Sequence, residues 1–367
     1  AAMGLALQSA DAKVVVFAMT MTIERRGGAC DRRTVAARRG LARRSSARHR
    51  VVMIKLSLIA ALALGLGCRP PPAACPTPAE IAVVPAAPSA PSAPMTAARR
   101  AWWQAIRAGG ALPPDVAAAT LVPELEAMLA VTDPTVRDGL GYELLARWLQ
   151  ADGALDDATV AGLRDRLVAR TAAPPTPGDA VFARSFAALV SSVIAAREVA
   201  APRWTDAELA AQIAAATGYA AREVDLRGFT GATGWAHAAA HAADWMKFLA
   251  RHPRLQPDQA AQLLGGVTAL VARAHGVRFS HGEDERLAAT VRAVARRALI
   301  DDATADAWLA AIAAPLAAGW PEPFDPVVYA TQRNARDLLV SCFVALALDD
   351  APGAARLRAR LEAALRG

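Results

Sequence analysis

The chain has 367 residues, 54% of them hydrophobic and 5% aromatic, with four cysteines; this bounds it to one or two domains and excludes a small disulfide-stapled fold. Its formal charge of +7 is concentrated in the first 52 residues, where Lys13 and ten arginines face only Asp11, Glu24 and Asp31, so the rest is close to neutral. A near-neutral body with no basic stripe excludes nucleic acid as the expected partner.

Residues 1–52 carry no helix caps and little periodicity, and read as an extension upstream of the true start. A better start follows: Met53, Ile54 and Lys55 form a short basic region ahead of an apolar run over 56–66. That run has signal-peptide length and is too short to span a bilayer. It ends Leu64-Gly65-Leu66-Gly67-Cys68, which resembles a bacterial lipoprotein lipobox with Gly65 in place of the usual leucine. The resemblance implies a signal peptide over 53–68 and lipidation of Cys68; plain secretion is the alternative. Residues 69–96 hold nine prolines among alanines and serines, so no helix can propagate and an extended tether is expected. The expected address is the bacterial cell envelope, lipid-anchored and facing the periplasm, with the membrane touched through the anchor only. With Cys30 upstream, Cys75 in the tether and Cys342 inside the apolar run LLVSCFVALAL, no disulfide framework is available, and Cys342 reads as a buried small hydrophobe.

From 97 to 367 the pattern is that of one all-α domain. Helix starts are explicit: Asp133-Pro134 and Asp325-Pro326 place an acid at the N-cap before proline, and Thr205-x-x-Glu208 and Ser280-x-x-Glu283 read as capping boxes. Breaks fall at Gly109-Gly110, Gly153, Pro174 to Pro177, Pro202, Gly228 to Gly234, Pro253, Gly276, Gly319 to Pro323 and Gly353. Short connections between alanine-rich helices predict stacked antiparallel hairpins, an α-solenoid or HEAT-like superhelical array. A faint internal echo runs through RDGLGYELLARWL, ARSFAALVSSVI, DERLAATVRAVARRAL and NARDLLVSCFVAL, without meeting any repeat consensus.

One stretch, residues 222–254, gathers histidines, acids, tryptophans and glycines that the surrounding sequence lacks. On a helix, His237, His241 and Asp244 at i, i+4 and i+7 share one face, with Trp235, Ala242, Met246 and Leu249 opposite, which predicts a polar cluster facing a groove. Two histidines at i and i+4 can share one metal ion, and imidazole with carboxylate ligands suits zinc. The pattern is HAAAH, however, and Ala238 stands where an HExxH protease carries its general base, so a protease of that type is excluded. Asp244 and His281 are the candidate further ligands, Glu283 or Asp284 the candidate base of a metal-dependent hydrolase, and His275 lies behind them. The competing reading is a structural polar network, with Glu283 serving a capping box and Arg222, Glu223, Asp225 and Arg227 pairing to fix the turn through Gly228, Gly231 and Gly234. Trp235 and Trp245 read as core or groove wall, as do Trp102 and Trp103. No phosphate loop, G-x-S-x-G elbow or CxxC pair is present.

The run VDLRGFTGATGWAHAAAHAADWMKFLARHPRL, followed by GEDERLA and by NARDLLVSCFVAL, resembles the bacterial family catalogued as domain of unknown function 2785, over approximately residues 120–350. The resemblance implies an all-helical fold and no particular activity. It marks Asp225, Arg227, Gly228, Gly234, Trp235, His237, His241, Asp244, Glu283, Asp284, Arg286 and Asn334 as matching positions; of these Asp225, Arg227, Trp235, Arg286 and Asn334 are the candidate ligand-binding residues. Function is thus expected to be that of a helical scaffold or ligand-binding domain, its ligand a protein or small molecule, with a zinc hydrolase as the alternative.

Overall fold

Alanine-rich segments punctuated by proline and glycine fold into a succession of helices in the computed structural model, which describes residues 95–366. The expected extension over 1–52, the expected signal peptide over 53–68 with its expected lipidation site Cys68, Cys30, Cys75 and nearly all of the expected tether lie outside the described residues.

The order is α1 (Ala97–Arg107), α2 (Ala118–Met128), α3 (Pro134–Val136), a π-helical turn (Arg137–Tyr142), α4 (Glu143–Gln150), α5 (Asp157–Ala172), α6 (Ala180–Ala200), α7 (Asp206–Arg222), a 3₁₀ turn (Gly231–Thr233), α8 (Ala238–Ala250), α9 (Pro257–Arg273), α10 (Glu283–Arg296), α11 (Asp302–Ala313), a second 3₁₀ turn (Ala314–Ala318), α12 (Pro326–Ala347) and α13 (Pro352–Arg366). Among the described residues there is no strand, only an isolated antiparallel pairing of Phe229 with Trp235. The fold is all-helical.

Most of the expected helix starts form. The Asp133 side chain accepts from Thr135 N at 2.8 Å, the Asp325 side chain accepts from Val327 N at 2.8 Å, and Thr205 and Glu208 close a reciprocal capping box. Each satisfies amide donors that a helix leaves unpaired. Removing the Thr205 hydroxyl in Thr205→Ala should lower unfolding free energy by about 1 kcal/mol, measured by chemical denaturation. The expected box at Ser280 does not form. α10 begins instead from Gly282 in a left-handed conformation (φ +83°), and Glu283, one residue into the helix, turns its carboxylate back onto the amide of His281.

Neighbours alternate along the chain. α6 packs on α8, α8 on α10 and α10 on α12, while α5 touches α7, α7 touches α9, α9 touches α11 and α11 touches α13. The first set surrounds the core. α6 is long and apolar enough to cross a membrane by length and composition, yet 78% of its apolar window is buried inside the protein, which accounts for its composition. α8 is enclosed on every side, all thirteen of its residues being buried, between α6 and α10. Its alanines, Ala238 to Ala240, Ala242 and Ala243, allow that approach because they keep the axes close. Trp103 and Trp245 are fully buried, as expected of core aromatics, and Cys342 is buried too, with burial pushing its thiol well up from the usual value.

Candidate functional site

The segment from Glu223 to His237 is a loop that the helices clamp from three sides. At its start Glu223 is 1% exposed and takes a bidentate ion pair from Arg184 of α6 (2.7 and 2.9 Å), while also accepting the amides of Val224 and Asp225. Asp225 accepts from Arg227 in a second fork at 2.8 and 2.6 Å. The loop then folds back on itself through Thr230 N to Gly234 O (2.8 Å), Ala236 N to Gly228 O (3.0 Å) and His237 N to Arg227 O (2.9 Å). Gly234 holds φ +76° and ψ −138°, a backbone that only glycine adopts readily, and an added Cβ would lie 3.0 Å from Pro134 Cβ. Gly228 is required by proximity: a Cβ there would sit 2.4 Å from His281 Nδ1 and 2.8 Å from Glu283 Oε1.

Arg137, which the sequence reading did not single out, is the anchor on the other side. Its side chain is fully buried, with the guanidinium 4.0 Å from the Phe182 ring centre, and it donates to Asp138 (2.8 Å), to the carbonyls of Val131 and Thr132, and to Thr233 O of the loop (2.8 Å). Arginine with five fixed donors can tie two backbone segments and a carboxylate at once. The only sequence signal was RDGLGYE, whose two glycines loosen one turn into π geometry.

His237 is the N-cap of α8 and takes a left-handed conformation (φ 51°, ψ 32°), rare for a residue with a Cβ. Its Nε2 lies 3.3 Å from Glu283 Oε1 and 3.2 Å from His281 O. Both are acceptors, so Nε2 carries the proton. The ring stacks on Trp235 at 4.8 Å, and Trp235 meets His281 edge to face at 5.4 Å. Glu283 is 1% exposed; burial pushes its carboxyl up, but His237 and backbone amides outweigh that and hold it below the ordinary value. His237→Ala removes the donor shared by that carboxylate and should lower the melting temperature, corresponding to about 1–3 kcal/mol, read by thermal and chemical unfolding.

His241 is 1% exposed and faces α6. Ser185 Oγ lies 2.7 Å from its Nδ1 and is also hydrogen-bonded to Ala236 O. A hydroxyl has one proton, and the carbonyl can only accept, so Ser185 donates to Ala236 O and His241 Nδ1 donates to Ser185. This Ser–His pair therefore lacks the geometry of a nucleophile and its base. Burial first, then the charges of His237, Arg286 and Arg137, drive the His241 pKa well below its usual value, so the ring is neutral.

Asp244, one turn further, is 2% exposed and points to Lys247 and Arg286: Lys247 Nζ donates to Oδ1 at 2.6 Å and Arg286 Nη1 donates to Oδ2. Thr290 of α10 adds a bond to Ala243 O (2.8 Å). The polar side of α8 was expected to face a groove; it faces α6 and α10 instead, and Trp235, expected on the opposite face of that helix, precedes it and is half-buried against His237. Periodicity reveals which residues share a face, not whether the facing element is solvent or another helix.

The other singled-out residues are distributed around this frame. Asp284 accepts from Ser341 Oγ of α12 at 2.6 Å. Asn334 is fully buried, its Oδ1 accepting from Phe279 N and Arg278 and its Nδ2 donating to Val277 O at 2.8 Å, which clamps the strap before α10. His281 and His275 are exposed. His237 and His241 have ring centres 5.8 Å apart, yet His241 turns to Ser185 and Asp244 to two cations. Among the described residues no three His, Cys, Asp or Glu side chains converge as a metal-ligand set.

The π-helical turn carries two further ionisable groups near the α8 cluster. Asp138 keeps 26% of its side chain exposed, yet burial, against the opposing pull of Arg137, raises its carboxyl to about 6. Tyr142, one turn on, is half-buried and close enough to Asp244 and Arg286 to feel both charges; burial pushes its hydroxyl well up. Its ring meets Phe186, which in turn meets His241.

Residues 176–343 match the model of a family described as protein of unknown function, DUF2785. Through that segment the chain resembles this family. The match is narrower than the 120–350 expected from the motifs, running from within the α5–α6 link to α12, and it includes every matching position named above. Arg137, Asp138 and Tyr142 fall before it. No curated protein and no solved structure matches the chain.

Proposed function

We propose that the chain is an envelope-anchored helical binding domain, an α-solenoid of stacked hairpins whose central helix is a frame and whose ligand or partner meets Asp138, Tyr142 and Arg286. Support for the solenoid comes from the neighbour alternation, in which each helix beyond α4 touches the next but one. The observation that supports the binding reading is Asp138: burial raises its carboxyl to about 6 although 26% of its side chain stays open to solvent, an ionisable group kept within reach of a ligand. The frame supports it, because the polar side chains of α8 are engaged by α6, α10 and Lys247 of α8 itself.

The alternative, a zinc hydrolase on His237, His241, Asp244 and His281 with Glu283 or Asp284 as base, would require Asp244 to leave Lys247 and Arg286. Metal analysis of the full chain without a histidine tag, beside the His237→Ala/His241→Ala variant, decides between them. The binding reading expects no stoichiometric metal in either protein. Near-stoichiometric zinc in the wild type and none in the variant would overturn it.

For the address, the reading rests on the leader and on the proline-rich tether. Metabolic labelling with a palmitate analogue should mark the wild type and not Cys68→Ala. An unlabelled wild type would leave secretion as the address.

A further inference from the structure

Far along the chain from Asp138 and Tyr142, the link between α11 and α12 leaves large aromatics in solvent. Trp320 is 69% exposed and Phe324 64% exposed, although neither is needed to close the core. Trp320 is nevertheless fixed in place: its ring stacks on Tyr329 at 5.6 Å and an interplanar angle of 24°, and Phe324 leans on the same tyrosine at 5.7 Å. The link is tied down from beneath by Gln332, which is 9% exposed and whose side-chain amide donates to Pro315 O at 3.2 Å and to Gly319 O at 2.5 Å. Exposed aromatic surface held by ring contacts and side-chain hydrogen bonds costs a ligand less ordering than a loop without them.

One face of α12, beginning with the same Tyr329, completes the site. Tyr329, Gln332, Arg333 and Arg336 follow one another at i, i+3, i+4 and i+7, so all four look toward Leu316, Gly319 and Trp320 across a cleft of about 340 Å³. That volume lies at the low end of the range of about 300–1,000 Å³ for small-molecule sites. Its charge is one-sided. Arg333 pairs with Asp337 at 3.2 Å, but Asp337 is shared with Arg278, and Arg336 has no carboxylate partner among the described residues. No acidic residue lines the cleft.

We propose that this cleft binds a small planar aromatic anion, its ring against Trp320 and Tyr329 and its carboxylate or other acidic group on Arg336 and Arg333. An aromatic wall alone would accept any flat apolar molecule. A guanidinium with a free fork of donors adds the selection for an anion, since guanidinium and carboxylate match as two parallel hydrogen bonds. The site is separate from the α8 cluster and needs neither a metal nor the chemistry discussed there.

The test is calorimetric titration of the full chain with 2-naphthoate, 2-naphthylmethanol and 2-naphthylmethylammonium, which share a ring and differ in charge. Saturable binding of naphthoate at one site is expected, with the neutral and cationic compounds roughly tenfold or more weaker, equivalent to about 1.4 kcal/mol. Arg336→Gln should bring naphthoate down to the level of the alcohol, and Trp320→Ala should weaken naphthoate and alcohol together. Both positions are exposed, so unchanged melting of the variants verifies that they fold. The proposal is overturned if naphthoate shows no saturable binding at millimolar concentration, if the cation binds as well as the anion, or if both variants bind like the wild type.

Discussion

Asp244→Ala is expected to destabilise the domain by about 3–5 kcal/mol, because it leaves the buried Lys247 ammonium without its anion. Lys247 has only 10% of its side chain exposed and lies 2.6 Å from Asp244 Oδ1, with Arg286 on the other carboxylate oxygen. Burial already depresses the Lys247 pKa; Asp244 offsets this, whereas Arg251 and Arg286 add to it. With the carboxylate gone, only those depressing influences remain and the ammonium loses its proton within the native state. The unfolded chain then binds more protons than the folded one below the lysine's ordinary value of 10.5, so the variant should regain stability as pH rises toward that value. The double variant Asp244→Ala/Lys247→Met should recover most of the loss, since an apolar side chain of similar length needs no counter-charge. Denaturant unfolding of wild type, single and double variants between pH 7 and 9 measures all three statements. A single-variant loss below about 1 kcal/mol would show that the Asp244 carboxylate is not what stabilises the buried Lys247 ammonium.

Much of this frame was legible in the sequence because its signals are local. Proline at N1 after Asp133 and Asp325, and the Thr205 box, each depend on residues within one turn, and they form. The box at Ser280 failed for a tertiary reason: Glu283 is drawn to His237 and to the His281 amide, and Gly282 supplies the left-handed step that lets α10 start there. The cluster at His237, His241 and Asp244 was visible as composition, but its direction was not. Three ligand-type residues on one face look identical in sequence whether they meet solvent, a metal or two neighbouring helices. What settled their surroundings were partners distant in sequence, Ser185 on α6 and Arg286 on α10. Arg137 and Arg184 stayed hidden for the same reason. A buried arginine resembles a surface one until the carbonyls of Thr233 and Thr176, or the carboxylate of Glu223, are placed beside it.

Between pH 6.5 and 5 the wild type is expected to lose stability as the solution is acidified; His241 is the chief reason, and Asp138, whose carboxyl is raised to about 6 and so takes up a proton in the native state first, offsets part of the loss below about pH 6. Burial holds its folded-state pKa well below the usual 6.5, so in this window the unfolded chain takes up a proton that the native ring refuses. More protons bound by the unfolded state means that stability rises with pH; the contribution of His241 is complete above about 6.5 and is lost downward at about 1.4 kcal/mol per pH unit. His252 is shifted in the same direction, by burial first and then by Arg254 and Arg297, and it adds to the slope. Glu283 does not interfere, because its depressed carboxyl keeps its contribution until pH falls below the ordinary carboxylate range. His241→Asn isolates the effect: its amide can still donate to Ser185 Oγ, but it does not titrate. That variant should be less stable at pH 7, where a packed ring has been lost, and its stability should fall by about 1.4 kcal/mol less per pH unit than the wild type's. Denaturant midpoints at four pH values between 5 and 6.5 give both slopes. Parallel wild-type and His241→Asn lines would show that His241 takes up its proton in the native state as readily as in the unfolded chain, with both ring nitrogens donating, and would overturn the neutral, buried ring.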